Sequence, residues 1–421
     1  MNVRKLALDA IVKILYDGGY SNIVINDTLK KYELNEVDRA LFTRLTLGTV
    51  EKKITLEYYL KPYLRKKTKT WVYCLLLMSI YQLVYLDIPD YAVVNEAVDM
   101  ASIRDRSFGS FVNGVLRAFQ RNERPNIDNL KGMEYLSIKY SYPEWLVAYL
   151  LRDYDEDTLE KIFSYNDNAK SMALRINTLK ATKEEIFNYL DEKGIGYTES
   201  SFVDNGIIVD SPIIREKIFI NGKVVVQDLA SQKVAETLNP KKDSIVLDLC
   251  AAPGSKTAHL ASLMENTGTI YACDIYPHKI KLMQSNFNKL GVTNASCQQI
   301  DARRLKDYVK AKSFDYILAD LPCSGLGVMG HKVDIRYNIT LSSIEDIIHL
   351  QEEILDSIHD LLKDNGEMVV STCTFNKDEN ERQIANFLNN HPNYEVLEEA
   401  TYLPFEYGTD GFYICKLRRK Y

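Results

Sequence analysis

Apolar residues recur at three- and four-residue intervals through the first 124 positions, then give way to short runs of consecutive aliphatic residues. Leu6, Ala10 and Ile14 share one helical face, and Ala7, Ile11 and Leu15 continue it. The same periodicity returns around 38–50, 56–64, 71–86, 92–102 and 111–120, with few glycines and little two-residue alternation. The pattern predicts an all-α bundle over 1–124. The 71–86 run carries no charge but is short for a bilayer and contains Tyr73, Ser79, Tyr81, Gln82 and Tyr85, so it reads as the buried central helix.

Pro125 and an Asn/Asp-rich stretch open 125–165, read as a helical linker with helices around Y-P-E-W-L-V and 157–165. From Ala173 the pattern changes. L-R-I-N-T, G-Y-T-E and G-I-I-V read as strands, and 183–193 as a helix ended by Gly194, which makes 166–238 a small α+β domain. A helix over 228–238 runs into Pro240. Through 239–421 apolar strands then alternate with helices, as in a doubly wound Rossmann-like α/β sheet. D-G-F-Y-I-C-K-L supplies the last strand, with Cys415 in the core. The chain is therefore expected to be multidomain, with an all-α bundle, a small α+β domain and a C-terminal α/β domain.

The α/β domain opens on V-L-D-L-C-A-A-P-G-S-K-T at 246–257. Val246, Leu247 and Leu249 suit a buried parallel strand. Cys250, Ala251 and Ala252 are small enough for a ligand to approach closely, Pro253 fixes the turn and Gly254 frees it. A helix over 256–264 would turn its unpaired N–H groups toward a carboxylate or other anion. Ser255 stands where a phosphate loop needs its second glycine, and Gly-x-Gly-x-x-Gly is absent too. The expected ligand is a nucleoside without a pyrophosphate, which describes S-adenosylmethionine.

Further strands end in reactive residues. T-I-Y-A-C-D-I ends at Asp274, placed to accept both ribose hydroxyls, and the strand after helix 277–290 leads to Asp301, which can meet an adenine amino group. F-D-Y-I-L-A-D-L-P-C-S-G brings Asp320, Pro322 and Cys323 to the next strand end, and E-M-V-V-S-T-C-T-F brings Cys373. Asp also caps helices and Cys is often buried, but their coincidence at one carboxyl edge points to a site. The thiols indicate the chemistry. C5 of a pyrimidine is a poor nucleophile until a thiolate adds to C6, so cysteine suits carbon methylation by covalent catalysis. Asp320 could hydrogen-bond the N3 and amino edge of cytosine. Cys373 is expected just before a helix N-terminus, which favours its thiolate. Asp320-Leu-Pro-Cys departs from the Asn/Asp-Pro-Pro-aromatic pattern of enzymes that methylate exocyclic nitrogens.

Composition changes the picture in two places. Formal net charge is −6, yet residues 1–124 hold 19 Lys and Arg against 14 Asp and Glu, so the excess of acid lies beyond them. A basic N-terminal portion can steer a polyanion, although such charge also simply solvates surfaces. The seven cysteines include no C-x-x-C, which argues for a reducing cytoplasm and against a disulfide frame or zinc site. No metal, no membrane association and a single copy of the chain are expected.

R-K-L-A-L-D-A-I, A-V-V-N-E-A-V-D-M and F-V-N-G-V-L-R resemble the NusB fold, an RNA-binding helical domain. That resemblance implies phosphate contacts for Arg4, Lys5, Arg65, Lys66, Lys67 and Lys69, with Val94, Ala97 and Val98 in the core. D-L-C-A-A-P-G-S-K-T, D-L-P-C-S-G, and S-T-C-T with N-E beyond it resemble the NOL1/NOP2/Sun family of RNA (cytosine-5) methyltransferases. Together with a NusB-like domain they resemble its bacterial 16S ribosomal RNA members, over nearly the whole chain. The resemblance implies that Cys250, Ala251, Ala252, Pro253, Gly254, Ser255, Lys256, Asp274, Asp301 and Asp320 bind S-adenosylmethionine. It makes Cys373 the nucleophile, gives Cys323 a part in product release, and lets Lys256 orient base or cofactor. The implied substrate is 16S ribosomal RNA or a small-subunit assembly intermediate. A cytosine-5 methyltransferase of tRNA or 23S rRNA is the alternative enzyme, and a non-catalytic antitermination-like RNA-binding factor the alternative of another class. Ser255 replaces a usual glycine. Gly330-His331-Lys332-Val333-Asp334 stands where the family carries Arg-Arg-x-Pro-Asp, so Asp334 matches, with Arg336 nearby, while the arginine pair is absent.

Overall fold

Helices Val3–Tyr16, Ser21–Lys31, Glu36–Glu51, Lys53–Leu60, Thr70–Tyr85, Asp90–Ser102 and Arg106–Arg121 fill the N-terminal portion of the computed structural model, which describes residues 2–168 and 172–420. Asn2, Asn35 and Asp105 accept backbone N–H groups at three of the helix starts. Thr70–Tyr85 is the central helix, and Leu75, Leu76, Leu77, Met78 and Ile80 are completely buried on it. Its polar residues are satisfied locally. Ser79 donates to the Leu75 carbonyl, Gln82 donates to that of Met78, and Arg4 donates to Gln82 Oε1 at 2.9 Å. Arg4 therefore spends its Nε inside the bundle, whereas Lys5 is exposed.

Residues 125–165 carry the helices Gly132–Tyr140 and Glu144–Leu150 and most of Glu156–Asp167. They belong to the same compact unit as the bundle, Met1–Asp167 with Met329–Ile339. Thr55 donates to the Ile138 carbonyl at 2.6 Å and Ser141 accepts from the Ile54 N–H at 2.8 Å.

The second unit comprises Asn168–Val328 and Thr340–Tyr421. Residues 169–171, within the expected small domain, lie outside the described residues, as do Met1 and Tyr421. Strands β1 (Met172–Ile176), β2 (Tyr197–Glu199), β3 (Gly206–Val209) and β4 (Val224–Val226) form an antiparallel sheet in the order β2-β3-β1-β4. Helix Lys183–Lys193 starts in a Thr182–Glu185 capping box, ends at left-handed Gly194, and buries Ile186 and Leu190 in that sheet's core.

The large sheet contains β5 (Ile245–Asp248), β6 (Thr269–Asp274), β7 (Ala295–Gln299), β8 (Phe314–Asp320), β9 (Leu362–Thr372), β10 (Tyr394–Tyr402) and β11 (Phe412–Arg419). Its order is β10-β11-β9-β8-β5-β6-β7. The β5, β6, β7, β8 and β9 pairings are parallel, while β11 pairs antiparallel with β9 and β10. Strand order reverses at β5, so a crevice is expected between the carboxyl ends of β5 and β8.

Candidate active site

At the end of β5 the chain turns through 249–254 into helix Ser255–Leu263. Gly254 is the N-cap, with φ +96° and no side chain to satisfy the first N–H groups. A Cβ there would lie 2.7 Å from Phe287, so glycine is required twice over. Asp248 is completely buried and accepts from the Thr257 hydroxyl at 2.7 Å, while its Oδ1 has no partner among the described residues. Burial above all lifts its carboxyl to about 7. Arg175, buried in β1, donates to Gln227 at 2.9 Å and reaches the Ser255 carbonyl at 3.5 Å, tying the small sheet to this turn. At the end of β6, Asp274 accepts the Tyr276 N–H at 3.1 Å and faces Lys279 at 3.5 Å. An uncapped helix end, a close-approach glycine turn and a carboxylate on the neighbouring strand are groups that would suit the carboxylate and the ribose of S-adenosylmethionine.

Asp301 is differently placed. Arg303 holds both its carboxylate oxygens, with contacts from 2.6 to 3.2 Å, and lowers its pKa. Any contact with an adenine amino group must share those oxygens with the guanidinium.

The reactive groups gather on the other side of β5. Lys256 donates to Asp320 Oδ2 at 2.8 Å, and the Ser371 hydroxyl donates to Asp320 Oδ1 at 2.8 Å. Burial opposes the Lys256 charge, but Asp320, Cys373 and Asp248 outweigh it and its pKa is raised. The Lys256 ammonium also lies 5.2 Å from the centre of the Phe412 ring. Cys323 and Cys373 are half-buried, with their sulfurs 3.3 Å apart. The hydrogen bond to Cys373, then burial, holds the Cys323 thiol well above its ordinary range. Burial likewise raises Cys250, beside the first turn.

The helix expected directly after Cys373 begins only at Glu381. The intervening polar residues brace the two thiol-bearing loops instead. Glu379 accepts from the Ser324 N–H at 2.7 Å and from Asn376 at 2.8 Å, Thr372 donates to Asn380 at 2.6 Å, and Asn380 donates to the Thr374 carbonyl at 3.0 Å. Gln351 donates to the Pro322 carbonyl at 2.8 Å, and the Gly327 N–H to that of Cys373 at 3.0 Å. Lys256 is thus a positive neighbour of Cys373, and no helix starts directly after it. Asp248, Ser371 and Glu379 join the site without a motif in the chain that marks them. The aspartate of V-L-D-L was the one available signal, since the others act on partners about fifty residues away.

Asp334 and Arg336 find their partners far back in the chain. They lie in the helical unit, with Asp334 buried and accepting from Ser21, and Arg336 buried with Nη1 3.1 Å from the Tyr140 carbonyl and its guanidinium 4.1 Å from the centre of the Tyr142 ring.

A doubly wound sheet with a nucleoside-shaped turn at its reversal point and two adjacent thiols defines the protein as a Rossmann-like methyltransferase that uses S-adenosylmethionine. Residues 235–418 match the family model for 16S rRNA methyltransferase RsmB/F, 1–121 that of the NusB family, and 142–214 an RsmF/B-like ferredoxin-like domain. The probable ribosomal RNA small subunit methyltransferase B of Bacillus subtilis is 37% identical over all of this chain and 99% of its own. Ribosomal RNA small subunit methyltransferase B of Proteus mirabilis is 30% identical, covering 100% and 99%. Among solved structures, PH0851 superposes with a TM-score of 0.83 at 26% identity over 98% of both chains. A methyltransferase homolog from Pyrococcus horikoshii reaches 0.62 at 27% identity, over 69% of this chain and 100% of that one. The chain belongs to the RsmB/F family of 16S rRNA methyltransferases.

Proposed function

We propose that the protein methylates C5 of a cytosine in 16S ribosomal RNA through a covalent bond between Cys373 and C6. S-adenosylmethionine supplies the methyl group as an electrophilic sulfonium substituent. Residues Cys250 to Lys256, with Asp274, Asp301 and Asp320, would hold it. Addition of the Cys373 sulfur to C6 raises electron density at C5, and departure of that sulfur after loss of the C5 proton restores the aromatic ring. Lys256 favours the Cys373 thiolate by its charge, and Asp320 faces the N3 and amino edge of the base. Cys323, kept protonated, hands a hydrogen bond to the neighbouring sulfur and assists its departure. The target base must leave its stack so that C6 can be reached from its face.

The observation that carries this reading is the pair of sulfurs 3.3 Å apart beside the Lys256–Asp320 ion pair. The names of the relatives support the small-subunit RNA as substrate. Mass mapping of RNA from a deletion strain tests it: one 16S methylcytosine should disappear and return on complementation. Loss from tRNA or 23S rRNA instead, or from no RNA, overturns it.

The same reading divides the chain into 1–124 and 166–238 for RNA grip, 125–165 between them, and 239–421 for methyl transfer. It places the enzyme in the cytoplasm as a single copy without a metal. Among the described residues no helix is long and apolar enough to cross a membrane, and no cluster of His, Cys, Asp and Glu could hold a metal.

A further inference from the structure

Arg65, Lys66 and Lys67 stand exposed between the one-turn helix Lys61–Tyr63 and helix Thr70–Tyr85. Among the described residues none of the three has a carboxylate within ion-pairing distance. Their loop separates two clefts and lines both. One encloses about 1100 Å³ and has Tyr58, Tyr73 and Trp145 on its walls, with Trp145 36% exposed. The other encloses about 490 Å³ and has Tyr63, Phe108 and Phe111, with Phe111 38% exposed. Behind the second, Lys69 lies 4.9 Å over the Phe108 ring, and that ring meets Trp71 edge-on at 5.2 Å. Of the acids on the first cleft, Glu57 is paired with Lys53 at 3.1 Å, and Glu144 opens the helix that carries Trp145.

A ridge of positive charge between two clefts, each with one exposed aromatic ring, Trp145 on one and Phe111 on the other, suits a single strand. Its phosphates can follow the ridge while splayed bases stack on either side, whereas a duplex keeps its bases stacked on one another. We propose that the two clefts form a binding site for single-stranded RNA, with phosphates on Arg65, Lys66 and Lys67 and bases against Trp145 on one side and Phe111 on the other. The proposal rests on the RNA substrate put forward above and names where the helical unit grips unpaired nucleotides.

The chain has two tryptophans, so Trp71→Phe leaves Trp145 as the only one. In that full-length variant an unstructured oligoribonucleotide should quench the emission saturably, and the same sequence as a duplex should not. Binding by anisotropy over a salt series supplies the second arm. Replacing Arg65, Lys66 and Lys67 together by Gln should lower the slope of log affinity against log salt by about 2, from roughly 0.7 per phosphate on a single strand. Trp145→Ala should weaken binding about tenfold with the slope unchanged. Absence of quenching, an unchanged slope in the triple variant, or quenching by an acidic peptide and not by RNA overturns the proposal. Neither titration needs turnover. Quenching without any methyl transfer would defeat the enzymatic reading and leave this site standing, and methylation without quenching would do the reverse.

Discussion

Asp248 illustrates how one side chain ties stability to pH in this protein. Its burial raises the folded pKa to about 7, against an ordinary value near 4. Between those values the folded state holds a proton that the unfolded chain releases, so stability falls as pH rises from about 4 to about 7 and is flat beyond. Asp248→Asn keeps an oxygen acceptor for Thr257 and removes the ionisation. Its melting temperature relative to wild type should therefore improve between pH 5 and pH 8, and a constant difference would refute the assignment. Asp320→Asn removes the ionic partner of Lys256 and the carboxylate proposed to meet the base, and should lower kcat by roughly 10²–10⁴-fold in a methyl-incorporation assay. The strand-end groups Asp274, Asp320, Cys323 and Cys373 were legible because each closes an apolar run with a reactive atom. Glu379 and Ser371 were not, since their value lies in contacts that only the folded backbone creates.

Among the elements, the β5 turn is the most constrained. Gly254→Ala forces a side chain into left-handed backbone and against Phe287. It should cost about 1–3 kcal/mol of stability and weaken S-adenosylmethionine binding, as read by thermal melting and calorimetric titration. Glu379→Ala strips the acceptor from two buried donors, the Ser324 N–H and the Asn376 amide, and should destabilise by a similar 1–3 kcal/mol. Elements with a wide apolar stripe or a sharp start and stop could be read from the chain, such as Thr70–Tyr85 and Lys183–Lys193. Ser21–Lys31 could not, because beyond Ser21 it buries only Val24 and Ile25. Strand β10 hides its alternation behind Glu395, Glu398 and Glu399 on the outermost strand of the sheet, where charge discourages further pairing. The acidic N-K-D-E-N-E run imitates a helix start, yet Asn376, Glu379 and Asn380 spend their side chains on the thiol loops and delay the helix to Glu381.

For the molecule as a whole, the chain leaves the methyltransferase unit after Val328, contributes Met329–Ile339 to the helical unit and returns at Thr340. Local periodicity cannot reveal such an excursion, because Val333, Arg336 and Tyr337 find their partners at the far end of the sequence. Arg336→Ala orphans the Tyr140 carbonyl, buried in the helical unit, and should destabilise that unit by about 1–3 kcal/mol in urea unfolding. In the proposed mechanism an unstacked RNA base bonds to the Cys373 sulfur, and the fate of that bond between base and protein is the most direct test. With S-adenosylmethionine and RNA, Cys323→Ser should accumulate protein covalently joined to RNA through Cys373, seen as a shifted band on a denaturing gel and by peptide mass. Adding Cys373→Ala should abolish both the adduct and 5-methylcytosine. Methylcytosine formed by the Cys373→Ala enzyme would contradict the account.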